Sequence, residues 1–206
     1  MDKKKRSLLI LILGLLSAIG PFSIDMYLPG FPNIADDLHT TVDYVSYSLS
    51  SFFIGISVGQ LIVGPLLDRF GRKRPLYIGL IIYVIASLGC AVSSSVEMLI
   101  GFRLLQALGC CVGMVAPRAI VRDIFPVHES AKVFSLLILI LGVSPIIAPT
   151  IGSYLITSLG WHSVFFVMAV ITSLLLLASF FFLAESRPPD PSMSLRPRPI
   201  VNSFLS

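Results

Sequence analysis

Several polar side chains interrupt long apolar segments of the sequence, where each needs a partner or contact with water. Asp25 stands near the end of the first segment, and Gln60 lies in the second. Arg103, Gln106 and Cys110 follow in the fourth at spacings of three and four residues, so on a helix they share one face. An arginine in the middle of a membrane helix costs at least about 2.5–3.5 kcal/mol on insertion scales. We therefore expect Arg103 to face the protein interior or water and to have a partner.

Asp25 is a candidate partner for Arg103, because the two residues are expected at similar depth. The fourth segment starts near Glu97, so Arg103 lies roughly 9 Å from that end at a rise of about 1.5 Å per residue. Asp25 ends the first segment on the same side, and the sequence thus predicts an ion pair. Two alternatives remain open: Arg103 snorkels outward as a structural residue, and Asp25 is an ordinary interfacial carboxylate.

Sequence patterns typical of enzymes are missing. The three histidines, His39, His128 and His162, are far apart, and there is no H-E-x-x-H, G-x-S-x-G or P-loop pattern. The three cysteines fall inside apolar segments and have no zinc-site spacing. We expect neither catalysis nor a bound metal or cofactor.

The elements that carry these residues are predicted to be membrane helices. The chain has 206 residues, of which 55% are hydrophobic and 13% charged, whereas soluble domains have about 25% charged residues. A bilayer core takes about 20 apolar residues per helix. Six such stretches can be read, at approximately 7–28, 43–67, 75–94, 97–117, 133–157 and 161–184. The predicted fold is an all-α membrane protein with six transmembrane helices.

The positions of the basic residues predict the orientation. Fourteen of the fifteen Lys and Arg residues lie before the first segment, in the even-numbered connections or after the sixth segment. The odd-numbered connections contain none. The positive-inside rule then predicts that both termini are cytoplasmic. It also explains the net charge of +4 without a nucleic-acid partner.

The most specific pattern joins the second and third segments, where residues 64–74 read GPLLDRFGRKR. It resembles the G-x-L-x-D-R-x-G-R-K loop of the major facilitator superfamily, and the matching residues are Gly64, Leu66, Asp68, Arg69, Gly71, Arg72 and Lys73. Glycines there indicate a turn too tight for side chains. The resemblance implies that Asp68 belongs to a cytoplasmic gating latch. The alternative is an ordinary positive-inside loop.

Two further motifs carry the resemblance. Residues 103–109 resemble the family's R-x-x-Q-G-x-G motif, with alanine at 107, and this implies a role for Arg103 in proton coupling. Residues 142–153 resemble the antiporter motif G-x-x-x-G-P-x-x-G-G, which marks exporters, although three glycines are replaced by Ser144, Ala148 and Ser153. The motif residues on this helix are Gly142, Pro145, Ala148, Pro149 and Gly152. The prolines predict a kink, the alternative being an irregular but static helix.

The segments 25–29 and 160–166 narrow the resemblance to the bicyclomycin and chloramphenicol resistance type of drug:proton antiporter, over about residues 7–186. Members have twelve helices in two halves, each a pair of inverted three-helix repeats, with a substrate site near the midplane between the halves, and this chain resembles the N-terminal half. We expect a short N-terminus (1–6), a six-helix domain (7–184) and a cytoplasmic tail or linker (185–206).

The resemblance implies multidrug export by proton antiport and alternating access in the bacterial inner membrane. Asp25 would carry the proton, since burial disfavours a charged carboxyl group and a nearby arginine favours it. Gln106, Cys110 and Gln60 would line the substrate path. The expected partners are the lipid bilayer, a small amphiphilic drug or metabolite, protons, and a second half or a second copy of the chain. The alternative is an inserted half that transports nothing by itself and acts only through association with another half.

Overall fold

The computed structural model describes residues 3–190, and these residues form helices and no strands. The helices are α1 (Lys3–Asp25), a 3-10 turn (Leu28–Gly30), α2 (Phe31–Asp37), α3 (Val42–Phe70), α4 (Lys73–Ala91), α5 (Val96–Ile124), α6 (Val127–Leu159) and α7 (His162–Phe182). Six spans within the described range are long and apolar enough to cross a membrane, the first of them running from α1 through α2. The predicted six-helix membrane fold is confirmed. Part of the predicted tail, residues 191–206, lies outside the described residues.

The helices extend beyond the apolar segments that predicted them. α1 already begins at Lys3, and α5 continues to Ile124, so the predicted connection between the fourth and fifth helices is mostly helical. Only Phe125 and Pro126 separate α5 from α6. Phe125 is extended, with φ −98° and ψ 136°, as expected of a residue that precedes proline. Apolar length marks the hydrocarbon core, whereas the backbone hydrogen bonds continue into the polar flanks.

α5 lies at the centre of the bundle and packs against α3, α4 and α1, while α6 packs mainly on α1, and α7 mainly on α4. Glycines make the two closest seams. A Cβ atom on Gly55 of α3 would lie 2.6 Å from Ala107 Cβ, and one on Gly109 would lie 2.6 Å from the carbonyl oxygen of Gly79 in α4. Small residues at such contacts let the backbones of neighbouring helices approach closely in lipid.

The two ends of the bundle differ in charge. The beginnings of α1, α4 and α6 meet the ends of α3, α5 and α7 at one end, as an ion pair between Arg6 and Glu129 illustrates (2.8 Å). The basic loop 69–74 lies there. We call it the basic end. The other end carries α2 with Asp36 and Asp37.

Candidate functional site

Arg103 is completely buried on α5, about two turns from its beginning. Its Nη1 group donates to the carbonyl oxygen of Ser23 in α1 (3.1 Å) and to Oε1 of Gln106 (2.8 Å). The predicted shared face of Arg103 and Gln106 is therefore confirmed. Two helices, α1 and α5, hold the guanidinium inside the bundle.

Three aromatic rings, which we call the aromatic cage, surround the guanidinium. The ring centroids of Phe52, Tyr27 and Phe165 lie 4.1, 4.6 and 5.8 Å from Arg103 Cζ. Cation–π contacts of this kind are strongest where water is excluded. Among residues 3–190, the Nε and Nη2 atoms of Arg103 have no hydrogen-bond partner, so the rings supply the electrostatic stabilisation of these atoms.

The predicted ion pair between Asp25 and Arg103 is not formed. Asp25 is partly exposed, and within the described range no carboxylate pairs with Arg103. The reason lies in helix geometry. The hydroxyl group of Ser23 faces Tyr83 of α4, 2.6 Å away, and a residue two positions later points to nearly the opposite side of the helix.

A buried chain of polar groups extends from Arg103 into α4. The amide Nε2 of Gln106 donates to Oγ of Ser87 (2.7 Å), which in turn donates to the carbonyl oxygen of Tyr83 (2.8 Å). Tyr83 is itself fully buried. The fixed cation is thus connected through hydrogen bonds to α1, α4 and α5.

The three residues expected in the substrate path are not brought together. Gln106 and Cys110 are fully buried in the core of the half, whereas Gln60 is exposed on α3. Of these three, only Gln106 forms a hydrogen bond with Arg103.

The predicted gating loop forms a charge network at the basic end. Arg72 is buried and donates from Nη1 to Asp68 (2.6 Å) and from Nε to Asp123 of α5 (2.8 Å). Burial desolvates the guanidinium, but the bonds to Asp123 and Asp68 outweigh this and raise the pKa of Arg72 above its ordinary value. The network ties the α3–α4 connection to the end of α5.

The two glycines of this loop differ. Gly71 has φ +82°, a conformation that favours glycine, and ends α3. The prediction of a tight turn at Gly64 is wrong, because this residue lies inside α3 and has open space where a Cβ would stand. The cations of Arg69 and Lys73 lie over neighbouring aromatic rings, 5.7 and 5.5 Å from the centroids.

The sequence analysis missed the contribution of Glu185, which follows α7. Its carboxylate accepts hydrogen bonds from the backbone N–H groups of Arg72 (2.7 Å) and Lys73 (3.2 Å), where α4 begins. A carboxylate is favourable at a helix N-terminus. Arg187 then approaches Asp68 (3.6 Å). The beginning of the predicted tail is therefore attached to the gating loop, and an acidic residue just after the last span was the only sequence signal for it.

The antiporter-motif helix α6 continues through Pro145 and Pro149 without a break. Ala148 is buried, and a Cβ on Gly152 would lie 2.8 Å from Cα of Met26, beyond the end of α1. In contrast, Gly142 has open space beside it. Position 152 therefore requires a glycine, because α6 crosses the segment that follows α1 at this point.

A six-helix membrane bundle is the structural unit from which transporters with two six-helix halves are built. A sequence profile of the Major Facilitator Superfamily matches residues 13–204. The chain belongs to this superfamily.

Known relatives agree with the assignment. The chain is 42% identical over 187 residues to the MFS-type transporter YdgK of Bacillus subtilis, covering 90% of this chain and 46% of the relative. It is 34% identical to a bicyclomycin resistance protein homolog of Haemophilus influenzae (99% and 51% covered) and 35% identical to the multidrug resistance protein MdtL of Escherichia coli (90% and 48%). The resemblance to the N-terminal half of this type of transporter is confirmed. The chain spans about half the length of these relatives.

A solved structure supports the fold. The chain superposes on an inward-facing, unoccupied bacterial homolog of the human lysosomal transporter Spinster with a TM-score of 0.73. The match covers 94% of this chain and 47% of that chain at 19% identity. At this identity the likeness concerns the fold alone.

Proposed function

We propose that this chain, together with a second six-helix half, exports small amphiphilic drugs or metabolites in exchange for protons. The observation that carries the proposal is the 34–35% identity to bicyclomycin and multidrug resistance proteins over at least 90% of the chain. The buried, fixed cation of Arg103 supports it, because intramembrane charges are costly and mark ion or substrate pathways.

A second half would cover α3 and α6. In the most apolar stretch of each helix, only 22% of the residues are buried in α3 and 17% in α6, against 39–56% in the other four spans. Gly64 and Gly142 lie on these two helices with open space beside them, which suits close approach of partner helices. A second copy of the chain is the other candidate for this surface.

Proton coupling would rest on Arg103 and Asp25. Arg103 has no carboxylate partner in the described range and is stabilised by the aromatic cage. Asp25 lies two residues from the backbone carbonyl that Arg103 contacts. Protonation of Asp25 would change the charge at the end of α1, and movement of this end would bring the carboxyl group into or out of reach of the fixed cation. Gln106 would act through the position of Arg103, and Cys110 and Gln60 would reach the path only in another conformation.

The charge network of Asp68, Arg72 and Asp123 would act as the gate. A second half that forms contacts with Asp68 would compete with Arg72 and Arg187 for its carboxylate. We also propose that the basic end faces the cytoplasm of a bacterial inner membrane, by the positive-inside rule. Residues 185–206 would begin the linker to the second half.

A different observation favours a second candidate function. The chain spans about half the length of its relatives, and one six-helix half supplies only one wall of a substrate site between two halves, so the alternative is an inserted half that transports nothing by itself. It would then act only through association.

Drug susceptibility distinguishes these functions. Cells lacking their own exporters would express this chain alone, this chain with a C-terminal half from a drug-exporting relative, or the same pair carrying Arg103→Ala, at matched membrane abundance. We expect resistance from the wild-type pair only. Sensitivity of all three strains, despite a demonstrated complex of the two halves, would refute export and leave association as the function.

A further inference from the structure

α3 and α4 form an apolar groove at the basic end. Both helices pack mainly along α5 and contact each other far less. The cavity between them has a volume of about 500 Å³, and Leu108 and Val112 of α5 lie at its floor. Gly59 and Gly79 contribute to this shape, because a Cβ on either would collide with α5 at 2.5–2.6 Å. The absence of both side chains brings α3 and α4 onto α5 and exposes its surface between them.

The length of the groove matches one leaflet of a bilayer. Its lining runs on α4 from Arg74 to Ile82 and on α3 from Phe70 to Gly59. At about 1.5 Å per residue these stretches are roughly 12 and 16 Å long. Half of a hydrocarbon core of about 30 Å is roughly 15 Å. A single acyl chain would therefore fit along the groove from the interface towards the bilayer centre.

Among the described residues, Arg74 is the only charged one that lines the groove, and it stands at the mouth. It is exposed, and no acidic group in the described range pairs with it. Three carboxylates at the basic end are engaged with other groups, Asp68 and Asp123 with Arg72 and Glu185 with the start of α4.

We propose that this groove binds one anionic phospholipid, with an acyl chain between α3 and α4 and its phosphate on Arg74. An arginine donates two parallel hydrogen bonds to a phosphate group. The positive charge of Arg74 favours a headgroup with net negative charge, such as phosphatidylglycerol, over a headgroup that carries its own ammonium group. Basic pockets between membrane helices are suited to such headgroups. This site is separate from Arg103 and independent of what the transporter exports.

Native mass spectrometry of the purified chain tests the proposal. Phosphatidylglycerol and phosphatidylcholine with identical acyl chains would be titrated separately. We expect one tightly bound phosphatidylglycerol and weaker binding of phosphatidylcholine. Arg74→Gln should lower the affinity for phosphatidylglycerol about fivefold, as expected for the loss of one basic residue near an anionic surface. Arg118→Gln removes an exposed arginine of α5 outside the groove and should change nothing.

A second pair of variants tests the acyl-chain position. Ile78→Trp would fill the groove, whereas Ile85→Trp alters an equally exposed α4 residue outside it (60% and 57% exposed). Binding of both lipids should fall in the first variant only. Equal effects within either pair, or equal affinity for the two lipids, would overturn the proposal. So would loss of the bound lipid when a C-terminal half is co-expressed, because protein would then occupy the groove.

Discussion

Substitution of the nearest ring of the aromatic cage tests how a charged group is stabilised inside this half. Phe52 lies 4.1 Å from Arg103 Cζ and is fully buried. Phe52→Leu keeps an apolar side chain but removes the ring face. A desolvated cation–π contact is worth about 2 kcal/mol, and the smaller side chain adds a packing loss that is unrelated to charge.

A double-mutant cycle separates the two effects. The free energy of unfolding would be measured in mild detergent for the wild type, Phe52→Leu, Arg103→Gln and the double variant. We expect a coupling energy of about 2 kcal/mol, because the ring matters to the charge only while the guanidinium is present. Phe53→Leu is the matched control, since this neighbouring ring is 48% exposed and points away from Arg103. It should show no coupling.

The outcome that would refute the reasoning is a coupling below about 0.5 kcal/mol, within the usual additivity error for independent sites. Phe52 would then be a packing residue, and the buried charge would depend on its hydrogen bonds to Ser23 and Gln106 alone.

Three further predictions concern packing, capping and topology. Gly152→Val should destabilise the purified chain by about 3 kcal/mol, the upper end of overpacking effects, because the side chain forces α6 away from a neighbouring backbone. The control Gly142→Val should change the stability by no more than about 0.5 kcal/mol. Equal thermal stability of the two variants would contradict this packing. Glu185→Ala should lower the stability of the chain by about 1 kcal/mol, as expected for a lost helix cap. Glu185→Gln keeps one acceptor oxygen and should lower the stability by less. An unchanged unfolding temperature of Glu185→Ala would show that the cap contributes nothing. Reporter fusions should indicate the periplasm after residue 38 and the cytoplasm after residue 190, and the reverse result would overturn the proposed orientation.

The sequence predicted the parts of the site that depend on spacing along one helix. Arg103 and Gln106 are three residues apart and share a face in any regular helix, and Gly71 ends α3 as its motif indicates. The aromatic cage could not be found in this way. Its members come from α3, α7 and the chain after α1, and their meeting depends on how the helices rotate and cross.

The incorrect or missing predictions have the same cause. Depth in the membrane suggested Asp25 as the ion-pair partner of Arg103, but depth does not determine the side of the helix on which a carboxylate lies. The identity of a glycine such as Gly64 does not reveal whether it permits a turn or leaves space beside a helix. The contact from Glu185 to Arg72 joins residues 113 positions apart, and no local pattern predicts such a pairing.

The central claim is that this half takes part in proton-coupled export through Arg103. Its most direct test is drug-driven proton release, measured together with drug binding, from the chain reconstituted with a C-terminal half. We expect the wild-type complex to release protons when drug is added. Arg103→Lys, which keeps the charge but loses the planar guanidinium, should release far fewer, and Arg103→Ala should release none while still binding drug. Normal proton-coupled export by the Arg103→Ala complex would contradict the claim and leave Arg103 as a structural residue.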